Sequence, residues 1–324
     1  MSDDSHIKIF FLHFSLAILL SYIFIYLIPW HDIKYFHDFE VYKFRVAEIF
    51  TFGSNQTESF GIFLLFSELL WTNILRVLPI YFYDIESGLT FISFACLTIY
   101  TFFTIKHVNP LLSFILFLNP IFIDLIISQV RIGVAFCLLL IAHLLRRKLL
   151  IQIFLIVCAT LIHTATLLLV AIFLMLSFFK KLLKNEQKFL RFSLILPIFI
   201  MLFLNVTLLP IFDFFGGAKD RTVYFTNPMY SSILFSFPWL FFSIMLAFLP
   251  KNDLIKKNID YVAYAISMGS LFFVSSLFQF YGSRFVAVSF PLFIISLNCL
   301  TTQFRYIMFI ILFLYQITYF SYWL

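Results

Sequence analysis

The sequence has little charge and little cysteine. Charged residues make up 12% of its 324 positions and the mean hydropathy is +1.03, whereas a soluble globular domain carries roughly 25% charged residues. A soluble domain of ordinary composition is therefore excluded. The four cysteines lie within apolar runs and form no Cys-x-x-Cys pair. Neither a disulfide framework nor a thiolate metal site is indicated.

Apolar runs of membrane-spanning length take up most of the chain. Hydrophobic residues account for 63% of it, and a membrane helix needs about 20 of them in succession. The sequence therefore predicts an all-α, polytopic integral membrane protein with about 10–12 transmembrane helices. Residues 1–324 are expected to form one membrane domain, because no linker or low-complexity tract divides them.

The basic residues predict which loops face the cytoplasm. Twelve of the 22 Lys and Arg residues fall at positions 146–148, 180–191, 251–257 and 305, between apolar runs. Such loops are cytoplasmic by the positive-inside rule. The intervening segments then turn at the outer face. Residues 149–179 are expected to turn there at their polar break, His163-Thr164, and residues 213–230 to form an outer loop. Five cationic or titratable residues are thereby predicted to share that face: Arg131, His163, Lys219, Arg221 and Arg284.

The N-terminal third allows two topologies. With the N-terminus inside, the polar segment 30–59 is a second outer-face loop, and Asn109–Ser128 must enter and leave the membrane by one face. Its two Asn-Pro pairs suit a re-entrant hairpin bent at Asn119-Pro120, because broken backbone is tolerated at membrane depth within protein. The alternative has the N-terminus outside and residues 30–59 inside.

The residues of the shared outer face suit chemistry on a diphosphate. Guanidinium groups hold phosphate by paired hydrogen bonds, so Arg131 and Arg284, assisted by Lys219 and Arg221, are candidate diphosphate ligands. His163 or a carboxylate is a candidate general base. Such a site requires no metal or other cofactor, and no Asp-x-Asp pair is present to hold a metal.

Two further pairs of residues belong to this interpretation. Trp30 and Tyr42 are candidates for stacking on sugar rings. Glu68 and Asp124 lie within apolar runs, and we expect them to pair with Arg76 or with each other.

Short motifs resemble one membrane enzyme family. The segments Ser128–Ala135 and His163–Ala165 resemble the signature of EpsG-type exopolysaccharide polymerases and related Wzy-type O-antigen polymerases. Asp38–Tyr42 and Glu58–Phe60 are similar to an acidic element of that family, and Ser283–Phe285 is similar to a late arginine motif. The resemblance runs from about residue 32 to residue 291.

This resemblance implies a fold, a reaction and roles. It implies a GT-C-like helical bundle in the bacterial inner membrane, with the active site facing the periplasm. The enzyme would join undecaprenyl-diphosphate-linked oligosaccharide repeats, with Asp38 and Glu58 as catalytic carboxylates beside His163. Membrane lipids are expected partners and nucleic acid is not. The resemblance leaves room for a protein that regulates chain length.

Two other functions could use the same lipid-linked glycan. A lipid-linked glycan ligase belongs to the same class, but such ligases carry a large late outer loop, and residues 213–230 form a short one. A flippase for the same glycan would show repeat symmetry and charge through the membrane depth. Neither feature is visible in the sequence.

Overall fold

The computed structural model describes residues 3–30, 37–52, 68–145, 148–204, 206, 233–278 and 282–321. Within these ranges there are fourteen α-helices, one π-helical turn and no β-strand, which confirms the all-α prediction. The chain divides into two compact units: unit 1 is Met1–Val170 with Tyr322–Leu324, and unit 2 is Ala171–Ser321. The prediction of a single polytopic domain stays a prediction.

The helices of unit 1 are α1 (Asp3–Tyr22), the π-helical turn Ile23–Leu27, α2 (His37–Phe52), α3 (Leu69–Tyr81), α4 (Ile85–Ile105), α5 (Pro110–Phe117), α6 (Pro120–Ile127), α7 (Val130–Leu144) and α8 (Leu149–Ile162). The unit boundary falls within α9 (Thr166–Leu182). Unit 2 continues with α10 (Glu186–Phe203), α11 (Ile233–Phe248), α12 (Ile255–Leu277), α13 (Ser283–Asn298) and α14 (Thr302–Phe320).

Several of these helices have the length and composition of membrane spans. Four described helices qualify, namely Lys8–Leu27, Ile85–Ile105, Ile255–Leu277 and Thr302–Phe320, and α5 with α6 makes a fifth if the bent pair counts as one span. Five shorter apolar helices of 10–17 residues accompany them. These helices are compatible with a multi-pass membrane protein, and the figure of 10–12 spans stays a prediction.

The bend predicted at Asn119-Pro120 is present. Helices α5 and α6 meet at an angle of 81°. The Asn119 side chain accepts a hydrogen bond from the Ile121 backbone N–H at 3.1 Å, and Pro120 occupies the first helical position. Asparagine at the cap and proline next to it are the preferred residues for starting a helix. The pair Asn119-Pro120 therefore ends one helix and begins the next.

Helix α1 packs against α4 in unit 1 and runs antiparallel to it. The ring of Tyr26, after α1, lies 5.8 Å from the ring of Phe94. At the other end, the ammonium of Lys106 lies 5.7 Å from the ring of Phe10. Helix α1 therefore runs antiparallel to α4, so the start of α1 and the end of α4 share one end of unit 1.

Helix α7 also runs antiparallel to α4. Cys137 Sγ donates to the Cys96 carbonyl at 3.5 Å, and Tyr100 Oη donates to the Gly133 carbonyl at 3.4 Å. Because α7 itself runs back along α4, the bent pair does not carry the chain to the far end of α4. A bent pair of this kind is either a broken span or a re-entrant loop, so the re-entrant hairpin stays a prediction.

Trp30 lines a small apolar recess together with Thr90 and Ser93 of α4 and Ile127 at the end of α6. Ile127 lies four residues before Arg131 in the chain. The recess therefore does not separate Trp30 from the junction that positions Arg131. Both topologies of the N-terminal third stay predictions.

The predicted loop 30–59 contains a helix, which corrects the sequence interpretation. Residues 37–52 form α2. The segment is polar in composition, but its apolar residues Phe39, Tyr42 and Val46 recur at helical spacing and are buried on one face of α2. On the exposed side of α2, Lys43 forms an ion pair with Glu40 of the same helix at 3.0 Å and with Glu86 of α4 at 3.1 Å. The other predicted outer loop, residues 213–230, lies outside the described residues.

Unit 2 packs around α12, which contacts α10, α11 and α13. Small residues allow this close packing. A Cβ atom added at Gly269 would lie 2.3 Å from Ser243 Oγ and 3.0 Å from the Trp239 carbonyl. Buried hydroxyls bond across helices, since Ser267 Oγ donates to the Ser193 carbonyl at 2.8 Å.

The basic residues of unit 2 gather at one end, here called the basic end. Lys180 pairs with Asp260 at 2.8 Å, and the Arg191 guanidinium lies 5.0 Å from the Phe248 ring. These contacts bring together the end of α9, the start of α10, the end of α11 and the start of α12. The predicted common side of the basic loops is thus found within unit 2. Arg284 lies at the opposite end, because α12 runs away from the basic end before α13 begins.

Candidate functional site

One buried carboxylate joins the two residues that the sequence singles out in unit 1. Glu68 Oε2 accepts a hydrogen bond from Arg131 Nη1, and Glu68 Oε1 lies 2.8 Å from His163 Nδ1. The side chains of Glu68, His163 and Arg131 are 9%, 10% and 19% exposed. We call these three residues the Glu68 cluster.

Glu68 is held in an unusual backbone conformation. It precedes α3 with φ 52° and ψ 41°, in the left-handed region, and among the described residues no other non-glycine residue has a positive φ. Its carbonyl accepts from the Thr72 backbone N–H at 3.1 Å, so Glu68 also begins the helix. Strained backbone of this kind persists only where the surroundings impose it, and it is frequent at functional sites.

Arg131 is positioned by the junction between α6 and α7. The Asp124 carbonyl accepts the backbone N–H groups of Ser128 and Gln129, at 2.9 and 2.8 Å, and the Asp124 carboxylate accepts from the Gln129 amide. These bonds fix the short connection between the helices. Arg131 therefore stands in the first turn of α7 with little freedom of the backbone.

His163 lies at the break that the sequence predicts between two apolar segments. Helix α8 ends at Ile162 and α9 begins at Thr166. The His163 backbone N–H donates to the Ala159 carbonyl at 2.9 Å, and its carbonyl accepts from the Thr166 backbone and hydroxyl. Thr166 is fully buried. The break thus presents the imidazole to Glu68 from a rigid turn.

The arrangement gives each residue a chemical capacity. A neutral imidazole that donates from Nδ1 to Glu68 keeps its lone pair on Nε2, where it can accept a proton. The carboxylate also stabilises the imidazolium that results, as in a catalytic triad. Arg131 bonds only to Glu68 among the described residues, so further N–H groups of its fork remain for an anion.

Glu68 was not assigned to the site from the sequence, and its expected pairing was wrong. Arg76 donates to Asn73 Oδ1 at 3.4 Å, and Asp124 bonds to Gln129. One feature of the sequence could have assigned Glu68 to the site. A carboxylate within an apolar run is costly in free energy unless a cationic residue pairs with it. Helical neighbours at i+3 or i+4 are the simplest such partners, but the observed ones lie 63 and 95 residues away.

The structure places the other predicted residues as follows. Asp38 is half-buried in the first turn of α2. The buried Tyr42 ring lies 5.2 Å from the ring of Trp71, one turn after Glu68. Trp30 is buried, and its indole donates to the Phe24 carbonyl. Glycan stacking by Trp30 and Tyr42, and a catalytic role for Asp38, stay predictions.

The remaining predicted ligands are not brought into this cluster by what the structure describes. Arg284 begins α13 in unit 2. Glu58, Lys219 and Arg221 lie outside the described residues. Contact of Arg284, Lys219 and Arg221 with a diphosphate stays a prediction, as does a catalytic role for Glu58. Within the described ranges, no three His, Cys, Asp or Glu residues are grouped as a metal site requires.

No family model matches this chain, and no curated protein or solved structure is significantly similar to it. The Glu68 cluster and the sequence motifs therefore carry the functional argument.

Proposed function

We propose that this chain is a glycosyltransferase of the bacterial inner membrane that joins undecaprenyl-diphosphate-linked oligosaccharide repeats at the periplasmic face. In this proposal it is an O-antigen or exopolysaccharide polymerase of the EpsG or Wzy type. The observation that carries the proposal is the buried Glu68 cluster, which combines a proton acceptor with an anion ligand. In this proposal the membrane helices of the whole chain form a GT-C-like bundle of about 10–12 spans.

The reaction transfers the growing glycan from its lipid carrier to the next repeat. A hydroxyl of the acceptor sugar attacks the anomeric carbon of the donor, and the bond from that carbon to the diphosphate oxygen breaks. The electron pair leaves with undecaprenyl diphosphate. The product is a chain longer by one repeat, still attached to the acceptor's lipid.

His163 takes the proton of the attacking hydroxyl in this scheme. Glu68 accepts from Nδ1, which leaves Nε2 as the base and stabilises the cation formed when the proton arrives. Since Glu68 supplies the carboxylate beside His163, we assign no step to Asp38 or Glu58. The proton is afterwards released to water or to the next substrate.

Arg131 stabilises the leaving diphosphate. Its N–H groups beyond the one bound to Glu68 meet the charge that develops as the glycosyl bond breaks. Arg284, Lys219 and Arg221 are proposed to contact the same lipid-linked substrate. A guanidinium does this better than an ammonium, because its planar fork matches two phosphate oxygens at once.

The test replaces Arg131 with Lys, which preserves a cation opposite Glu68 but removes the fork. We expect Arg131→Lys to lower the polymerisation rate of purified protein on lipid-linked repeats about a hundredfold. The matched control is Arg76→Lys, because Arg76 is bonded to Asn73 outside the Glu68 cluster. Both variants are compared at equal membrane levels.

Surface glycan in cells separates the alternatives. Loss of polymer while single repeats still reach the surface supports a polymerase. If no glycan reaches the surface, a flippase is the better interpretation. If polymer forms but does not reach its final acceptor, a ligase is favoured. Normal chain length in both Arg131→Lys and Arg131→Ala would refute a diphosphate role for Arg131.

A further inference from the structure

Two half-buried cations at the basic end of unit 2 lack the counter-ion that their neighbour has. Lys251 lies in the turn between α11 and α12, and Arg305 lies in the first turn of α14. Neither forms an ion pair with a carboxylate in the described part of the chain. Lys180, at the same end, is paired with Asp260 at 2.8 Å.

Both cations are held by a rigid contact between two turns, which we call the clasp (residues 250–252 and 298–301). The Asn252 side-chain amide donates to the carbonyls of Asn298 and Leu300, each at 2.9 Å. The Asn252 backbone N–H donates to the Cys299 carbonyl at 2.9 Å, and the Thr301 backbone N–H donates to the Pro250 carbonyl at 3.2 Å. Four hydrogen bonds therefore fix one turn against the other.

The clasp attaches Lys251 and Arg305 to the same segment, residues 298–301. Lys251 forms a backbone bridge with Leu300, and its Nζ donates to the Leu249 carbonyl at 2.5 Å. Arg305 Nη1 donates to Asn298 Oδ1 at 2.9 Å, and the Arg305 backbone N–H donates to the Thr301 carbonyl at 2.9 Å. An ammonium has three N–H donors and a guanidinium has five, so both cations keep donors beyond these bonds.

The local electrostatics favour an anion at this point. Lys251 is half-buried, and burial lowers its pKa to about 8. The nearby Cys299 is no compensating thiolate, because burial raises its pKa to about 11. Lys256 and Lys257 are exposed beside Asp253, so the surroundings are basic overall. Partly buried charges of one sign are stabilised by a bound counter-ion.

We propose that Lys251 and Arg305 bind the phosphate of an anionic phospholipid headgroup at the clasp. The neighbouring surface suits acyl chains, because Tyr306, Ile307 and Phe248 are 59%, 51% and 51% exposed. An arginine fork and an ammonium provide directed donors for a phosphodiester. This site is independent of the proposed polymerase reaction, since Glu68, Arg131 and His163 belong to unit 1.

The experiment measures binding of fluorescent phosphatidylglycerol to the purified full chain in dodecyl maltoside. We expect Lys251→Gln and Arg305→Gln each to weaken binding roughly fivefold, the usual contribution of one basic residue to anionic-lipid attraction. Lys180→Gln is the matched control, because Lys180 is already paired with Asp260. Its affinity should stay within twofold of the wild type. Unlabelled phosphatidylglycerol should displace the probe and phosphatidylcholine should not.

A pH series identifies Lys251 itself and does not depend on the Gln variants folding. With its pKa at about 8, Lys251 loses its proton between pH 7 and pH 9, so wild-type affinity should fall over that range. Lys251→Arg keeps the charge and should flatten the profile. The other charged groups near the clasp, Asp253, Lys256, Lys257 and Arg305, are present in both proteins and cancel in the comparison.

Several results would contradict the proposed phospholipid site. If phosphatidylcholine displaced the fluorescent probe as well as phosphatidylglycerol does, binding would not depend on the negative charge of the headgroup. A loss in Lys180→Gln as large as that in Arg305→Gln would reduce the effect to general surface charge. Displacement by inorganic phosphate at the same concentration and ionic strength would show that the ligand is a free anion. Parallel pH profiles for the wild type and Lys251→Arg would exclude Lys251.

Discussion

The two units differ in the polar groups that they bury. Unit 1 buries the charged Glu68 cluster, in which one carboxylate contacts two cationic or titratable residues. Unit 2 buries hydroxyls, such as Ser267 bonded to Ser193. Its Lys180–Asp260 ion pair is instead about two-fifths exposed, with side-chain exposures of 42% and 41%.

This difference separates what a helical protein needs for packing from what it needs for chemistry. Small residues and hydroxyls pack the helices of unit 2, and the buried hydroxyls of Ser267, Ser270 and Ser296 each donate to a carbonyl. A buried ion cluster adds little stability over an apolar replacement, because the attraction is offset by desolvation. The retention of one in unit 1 is best explained by a function, which is why the proposal rests there.

The largest expected effect comes from removing the central carboxylate of unit 1. Glu68→Ala leaves Arg131 and His163 without their shared partner, and breaking a buried charged network typically costs about 3–5 kcal/mol. We therefore expect a large drop in the thermal midpoint of the purified protein in detergent, measured by tryptophan fluorescence.

The control is an exposed carboxylate of the same unit. Glu86 pairs with Lys43 at 3.1 Å and its side chain is 45% exposed, so Glu86→Ala should cost at most about 1 kcal/mol. Equal losses in the two variants would mean that the Glu68 cluster is no more critical than a surface ion pair.

A smaller effect is expected from close packing in unit 2. Gly269→Ala would place a Cβ atom 2.3 Å from Ser243 Oγ and 3.0 Å from the Trp239 carbonyl. Overpacking of this kind typically costs about 1–3 kcal/mol. The thermal midpoint should fall, with the helical circular dichroism of the folded protein unchanged.

Gly133 in unit 1 provides the matching glycine. A Cβ atom there would have the Leu125 carbonyl as its nearest neighbour, at 3.5 Å, an ordinary contact. Since alanine is favoured over glycine in helices by up to about 1 kcal/mol, Gly133→Ala should be neutral or stabilising. If both alanine variants lose stability equally, close packing does not distinguish the units.

The smallest effect concerns an exposed charge at a helix start in unit 1. Asp84 caps α4 by accepting the Ser87 backbone N–H at 2.6 Å, and this hydrogen bond lowers the pKa of Asp84. The stabilisation is therefore present above the unfolded-state pKa of about 3.9 and is lost as the pH falls through the lower folded-state value. Asp84→Asn keeps a capping side chain but does not titrate.

The thermal midpoints of the wild type and Asp84→Asn should be compared from pH 6 to pH 3. The wild type should lose stability relative to the variant below about pH 4, the unfolded-state value. Parallel curves across this range would show that the cap hydrogen bond does not depend on the charge of Asp84.

Local features were predictable because they depend on neighbours in sequence. Asn119-Pro120 contains both a helix cap and a residue that cannot continue a helix, so the bend followed from two positions. The break at His163 followed from one polar interruption of an apolar run. The helix α2 was not predicted. Its apolar residues Phe39, Tyr42 and Val46 lie among acidic residues, so the segment was interpreted as a loop from its polar composition although its apolar residues have helical spacing.

By itself, the sequence determined the helical character of this protein, the breaks in its apolar segments and the placement of the basic residues of unit 2 at the end opposite Arg284. Each of these follows from hydropathy, proline chemistry or charge over a short window. The tertiary structure alone decided that Glu68 is the partner of both Arg131 and His163. That contact joins three helix ends far apart in the chain. It depends on how α3, α7 and α8 pack together, and no short stretch of residues specifies that packing.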